Sequence, residues 1–201
     1  MSLEKTKSYQ IDMTNGSIIG KLVRFSVPLI FSGILQLLFN AADVIVVGKF
    51  AGDNSLAAVG STGSLINLLV NLFVGLSVGT NVVAANYFGA GKKKEVSETV
   101  HTAILISVYS GIFLTVVGVI GAKELLKLMQ SPPEVLDKAT LYLKIYFGGI
   151  TATMVYNFGA SLLRAKGDTQ RPLYIWRFGG IVNVVLSLIF VIVFHMDVAG
   201  V

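Results

Sequence analysis

An all-α, polytopic transmembrane bundle of about five spanning helices is the fold class this sequence predicts, and three observations predict it. Apolar residues make up 54% of the chain and charged residues only 13%, about half the charged share of an ordinary soluble domain. A mean hydropathy of +0.75 leaves too little polar surface to wrap the apolar mass. Glycine is abundant at 21 residues while proline is scarce at 4, a balance that suits closely packed membrane helices and not a disordered chain.

A spanning helix needs about 20 mostly apolar residues. Five runs meet that requirement: 25–48, 56–87, 100–122, 138–163 and 172–194. Residues 1–20 precede them as a polar segment of mixed charge, read as partly mobile and without the pattern of a cleavable signal peptide. Residues 21–201 form the membrane domain. The first run contains Pro28, where a kink is expected. The second exceeds one crossing and must tilt or start in the interface. Between the third and fourth lies 121-GAKELLKLMQSPPEVLDK-138. Its leucines alternate with Lys123 and Lys127, which predicts a short amphipathic helix on the outer surface, broken by Pro132 and Pro133; it is read as a simple connector and not as a gating element. The closing residues 195-HMDVAGV-201 read as a turn and the first residues of a sixth segment, so the odd count suggests a fragment.

Lysine and arginine set the orientation. Lys5, Lys7, Lys21, Arg24, Lys92, Lys93, Lys94, Arg164, Lys166, Arg171 and Arg177 fall on one side. Lys49, Lys123, Lys127, Lys138 and Lys144 fall on the other. The excess places the N-terminus in the cytoplasm of a cell-membrane protein.

Composition also excludes function classes. The net charge of +5 is distributed over short loops between apolar runs, whereas nucleic-acid binding needs basic residues gathered on one folded face. There is no cysteine, hence no disulfide framework or thiolate site. His101 and His195 are far apart and show no metal-ligand spacing. Gly89 and Gly91 before Lys92 lack the full phosphate-loop pattern. Glu95 and Glu98 read as a solvated helix start. No enzymatic constellation is present, so the chain is not read as an enzyme.

One acid stands apart. Asp43 lies in 38-LFNAADVIVVGKFAG-52 and is the sole charge between Phe25 and Val47. A polar group in lipid needs a partner, so it faces the bundle interior. Ser32, Gln36, Asn40 and Asp43 fall within roughly an 80° sector at about 100° per residue. Similar stripes occur in the second run (Ser64, Asn67, Asn71), the fourth (Tyr142, Tyr146, Gly149, Thr153, Asn157) and the fifth (Gly179, Asn183, Ser187). Any one stripe is explained by helix-to-helix hydrogen bonding. Four of them together with a buried acid point to a hydrated cavity. Asp43 is then either a satisfied structural carboxylate or a proton or cation site. Burial favours the neutral form of a carboxylate and a bound cation opposes it, so such a group can trade a proton for a cation.

The sequence resembles the N-terminal part of a multidrug and toxic compound extrusion (MATE) transporter. The resemblance rests on 13-MTNGSIIGKLVRFSVPLIFSGILQLLFNAADVIVVGKFAG-52, 57-AAVG-60, 87-YFGAGKKKE-95, 162-LLRAKGDTQRP-172 and 183-NVVLSLIFV-191, in order and over nearly the whole chain. It implies one lobe of a two-lobe, twelve-helix transporter, with the sixth helix only begun and a C-terminal lobe required for activity. It further implies an antiporter that exports amphipathic, often cationic compounds against inward H+ or Na+, with no other cofactor. Asp43 takes the position of the family's first-helix acid, and Na+ at Asp43 is the candidate metal. Asn183 matches the fifth-helix asparagine, and Asn157, Gln36 and Asn40 are expected to assist. Ser187 stands where many relatives carry a second aspartate. With Tyr142, Tyr146, Thr153, Asn67 and Asn71 it is expected to line the cavity. A lipid-linked precursor or polysaccharide exporter, and a membrane subunit without transport, are the alternatives. The first calls for cations facing the cavity, and the stripes hold no Lys or Arg.

Overall fold

The computed structural model describes Ile11 and residues 17–200. The mobility expected of the N-terminal segment therefore falls mostly outside the described residues. Five helices follow in order: α1 (Ile18–Phe50), α2 (Asp53–Gly89), α3 (Lys93–Leu128), α4 (Pro133–Ala165) and α5 (Gln170–Leu188). A π-helical turn, Ile189–Val193, prolongs α5, and a 3-10 turn, Asp197–Gly200, closes the described chain. Each apolar run lies inside one helix, to within a residue at the end of the fifth. The first four helices have 33 to 37 residues. At a rise of about 1.5 Å per residue they reach well beyond a hydrocarbon layer of about 30 Å.

Four helices are long and apolar enough to cross a membrane; α4 is not among them. Its early turns carry Asp137, Lys138 and Lys144. Asp137 and Lys144 stay exposed, and Lys138 is engaged by Ser55 and Asp197. A stripe from Val135 through Leu143, Phe147, Ile150 and Met154 to Phe158 is buried against its neighbours.

The connector differs from its expectation. Instead of a separate surface helix, α3 runs unbroken to Leu128. Leu126 is fully buried and Leu125 packs on the core, while Leu128 and Met129 are exposed, so only part of the apolar face of this stretch meets protein. Ser131 N–H to the Leu126 carbonyl (3.1 Å) and Gln130 N–H to the Lys127 carbonyl (2.9 Å) end the helix, with Gln130 at φ +56°. Pro132 and Pro133 open α4, where a missing N–H leaves nothing unpaired. Pro28 lies inside a continuous α1, and Ser32 Oγ donates to its carbonyl at 2.9 Å.

Helices α2, α3 and α4 share the core, in which Leu65, Leu114, Leu143, Phe147 and Ile150 interlock. Gly118 of α3 lies flat against the Phe147 ring, where a β-carbon would collide. Polar bonds tie the same three helices. Thr115 Oγ1 donates to the Phe147 carbonyl (2.9 Å), Asn81 Nδ2 to the Ser161 carbonyl (2.6 Å), and Ser161 Oγ to Ser77 Oγ (3.3 Å). Helix α1 stands outside this core. Only Val46 and Val47 among its residues are buried, and its partner is α5, where Gly180 fits against the Phe39 ring.

A clasp joins the two parts at the end of the bundle where α1 finishes. Lys138 Nζ lies 2.5 Å from Asp197 Oδ2 and donates to Ser55 Oγ at 2.8 Å. It links the starts of α2 and α4 to the turn after α5. Burial on its own raises the Asp197 carboxyl; hydrogen bonds from Lys138 and Ser55, with the Lys138 charge, outweigh it and hold the group below the ordinary carboxylate range.

Candidate functional site

Asp43 sits on α1 seven residues before Phe50, roughly 10 Å along the axis from the helix end. It is half-buried. Helix α5 meets it there because the Phe39–Gly180 contact lets the two backbones approach one turn earlier. Ser187 Oγ, on a residue only 2% exposed, donates to Asp43 Oδ1 at 3.3 Å. With the Asn183 amide oriented to donate, its Nδ2 lies 3.2 Å from both Asp43 carboxylate oxygens. One carboxylate, one hydroxyl and one amide thus converge in the α1–α5 seam. Ser187 serves Asp43 as a hydrogen-bond donor.

The remaining sequence-derived residues divide. Tyr142 of α4 stands within electrostatic reach of Asp43, and its ring is 6.4 Å from that of Tyr146. Asn157 is not brought to Asp43; its Nδ2 donates to the Thr153 carbonyl on its own helix at 2.9 Å. Gln36 and Asn40 lie along α1 below Asp43, exposed, and Asn67, Asn71 and Thr153 are likewise exposed. The hydrogen bonds that hold α2, α3 and α4 together come from other residues, Asn81, Ser77, Ser161 and Thr115. Sequence reading passed over these because short polar residues in apolar helices carry no mark of which face they take. Among the described residues of the α1 and α2 stripes, Asp43 is bonded across to α5, whereas Ser32 bonds only within its own helix and Gln36, Asn40, Asn67 and Asn71 are exposed. No group of three or more His, Cys, Asp or Glu side chains that could hold a metal occurs among the described residues. A hard cation at Asp43 would draw on the carboxylate together with neutral oxygens of Ser187 and Asn183.

The model of the MatE family matches residues 28–189. The chain belongs to the MatE family. Among curated relatives, it is 29% identical over 189 residues to the probable multidrug resistance protein YpnP of Bacillus subtilis (strain 168), covering 94% of this chain and 42% of the relative. It is 22% identical over 167 residues to the probable multidrug resistance protein NorM of Thermotoga maritima, covering 83% of this chain and 36% of that protein. A crystal structure of a MATE protein in the bent conformation superposes with a TM-score of 0.85 at 29% identity, covering 92% of this chain and 41% of the other. A transporter of the MOP superfamily from Pyrococcus furiosus, described as having a binding pocket of reverse polarity, superposes with a TM-score of 0.88 at 28% identity over 98% of this chain and 43% of its own. The chain thus spans about 42% of the length of a MatE relative, the share of one lobe. With four apolar spanning helices in this family fold, it is a multi-pass membrane protein.

Proposed function

We propose that this chain is the N-terminal lobe of a cation-coupled antiporter that exports amphipathic cationic compounds across the cytoplasmic membrane. Asp43 binds the coupling H+ or Na+, with Ser187 and Asn183 as its neighbours and Tyr142 close by. The observation that carries this reading is the convergence of Ser187 and Asn183 on a half-buried acid, with Gln36, Asn40, Asn67 and Asn71 exposed on α1 and α2. Curated relatives named as probable multidrug resistance proteins support the substrate class. The excess of lysine and arginine on one set of loops supports a cytoplasmic N-terminus.

The Asn183 amide gives the site two states. Its NH2 edge donates to a charged carboxylate. Its carbonyl edge accepts from a protonated one or contacts a cation between the two groups. Loading and unloading Asp43 therefore turns the amide and changes what α5 offers α1. Residues 21–201 supply this half of the machine and 1–20 the cytoplasmic lead-in; a second lobe completes the cavity.

The test is Asp43→Asn in the full-length transporter at matched expression. Ion-driven efflux of a fluorescent organic cation is expected to fall to background while the protein remains folded in the membrane. Efflux equal to the parent's, with its ion dependence intact, overturns the assignment.

A further inference from the structure

Where α2 ends and α3 begins, the two helices diverge around a cleft of about 340 Å³. Its lining mixes apolar side chains, Val83 from α2 and Ala103 and Ile106 from α3, with the hydroxyls of Thr80, Thr99 and Thr102. Its mouth carries Tyr87, Glu95 and Glu98. Glu95 is half-buried and not a solvated helix start. Only its backbone carbonyl is engaged, by Thr99 Oγ1 at 2.7 Å, and no cation faces its carboxylate among the described residues. Glu98 has a loose pairing with Lys94 at 3.9 Å, both side chains being mostly exposed. Directly before these acids stand Lys92, Lys93 and Lys94, all exposed.

The cleft belongs to the outer wall of the bundle. At about 100° per residue, Val83 and Tyr87 point roughly 150° away from the α2 stripe of Ser64, Asn67 and Asn71. Beyond the cleft, Phe113 of α3 meets Phe73 of α2 with ring centroids 6.0 Å apart, and Leu76 and Phe113 are 52% and 57% exposed. Side chains of that kind at that depth face hydrocarbon. An apolar seam leading up to a pair of acids, with a run of lysines at the helix start, matches one kind of molecule in a bilayer. It must carry a hydrogen-bonding cation, an anion beside it and an acyl chain.

We propose that this cleft seats a zwitterionic phospholipid with a primary ammonium headgroup. The ammonium lies between Glu95 and Glu98, the phosphate turns toward Lys92 and Lys93, and one acyl chain follows the seam past Ile106 toward Phe113. A primary ammonium donates three hydrogen bonds and a quaternary one donates none, so phosphatidylethanolamine is held and phosphatidylcholine is not. An anionic headgroup without an ammonium can still offer its phosphate to the lysines but has no cation for the two carboxylates, so it is held less well. The site is independent of the Asp43 assignment and of the direction of transport.

The test is native mass spectrometry of the full-length protein released from bilayers of equal phosphatidylethanolamine, phosphatidylcholine and phosphatidylglycerol. Phosphatidylethanolamine is expected to be retained roughly tenfold over phosphatidylcholine, the scale of one charge-assisted hydrogen bond. Stepwise N-methylation of the headgroup should erode that preference, a measurement that needs no variant. The Glu95→Gln/Glu98→Gln protein should lose the preference, while Glu124→Gln, at the other end of α3, should keep it. Equal retention of the two zwitterionic lipids, stronger retention of phosphatidylglycerol, or an undiminished preference in the double variant each overturns the proposal.

Discussion

Two adjacent glycines of α5 should respond to the same substitution with opposite signs. A β-carbon added at Gly180 falls within the Phe39 ring, while one added at Gly179 meets nothing within 4 Å. In Gly180→Ala the ring must swing aside or α1 must move away from α5, because non-bonded carbons need about 3.5 Å or more between them. Overpacking of this kind costs about 1–3 kcal/mol, and alanine returns up to about 1 kcal/mol of helix propensity relative to glycine. The net loss is therefore about 1–2 kcal/mol, whereas Gly179→Ala collects only the propensity gain. For a chain of this size each kcal/mol shifts Tm by about 2–4 °C, so Gly180→Ala should melt several degrees below the parent and Gly179→Ala slightly above. Trp176, the sole tryptophan, sits one turn away with its ring 5.8 Å from that of Tyr156, and its fluorescence reports the melt in detergent. Phe39→Leu should restore most of the loss in the Gly180→Ala background. If Gly180→Ala is as stable as Gly179→Ala, or if Phe39→Leu fails to rescue it, the close α1–α5 approach is wrong and with it the geometry around Asp43.

The clasp at the end of the bundle where α1 finishes predicts a pH dependence. Because the folded Asp197 carboxyl lies below its ordinary range, its contribution is fully present above the unfolded value of about 3.9 and disappears as pH falls through the folded one. Asp197→Asn should therefore cost about 1 kcal/mol at neutral pH, as for a partly exposed pair, and less at acid pH; thermal melts across pH 3–7 check it, and a constant difference contradicts the clasp. The absence of cysteine makes topology directly testable with single labels. Lys93→Cys should react with an impermeant maleimide only after the inner face is opened, and Lys127→Cys in intact cells; the reverse pattern inverts the proposed orientation.

The helices were legible because lipid demands long apolar runs; five such runs stand out in the sequence, although α4, with charges in its early turns, falls short of a spanning helix. Helix ends were harder to read, since outside the hydrocarbon a helix may carry charges freely. The stretch from Gly121 to Leu128 looks amphipathic for that reason, although the face it hides is α3's own contact with the core, through Leu126. Asp43 and Asn183 could be singled out by residue type alone. Their pairing through the α1–α5 seam depends on Gly180, one of 21 glycines with nothing in the sequence to distinguish it. Lys138 counted only toward the charge balance of the loops, yet its contacts are Ser55 and Asp197, from segments far away along the chain. Asn157 read as a neighbour of the acid, but an asparagine in a helix can satisfy itself on the carbonyl four residues earlier, as it does at Thr153.

The placement of Asp43 on the least embedded helix bears on coupling. Helices α2, α3 and α4 are fastened by a shared core and interhelical hydrogen bonds, so a change in one side chain moves them little. Helix α1 buries only Val46 and Val47, and its other attachment is the seam where Phe39 meets Gly180 and Asp43 meets Ser187 and Asn183. A ligand shifts a conformational equilibrium only by its difference in affinity for the two states. An ion binding elsewhere in the core would act on parts that cannot separate. At Asp43 it acts on a seam that makes up much of what holds α1, and the donors that serve a charged carboxylate are not those that serve a neutral one. On the proposed assignment of Asp43 as the ion site, occupancy of that site would set the strength of one helix's attachment, a difference in free energy of the kind an alternating transporter needs.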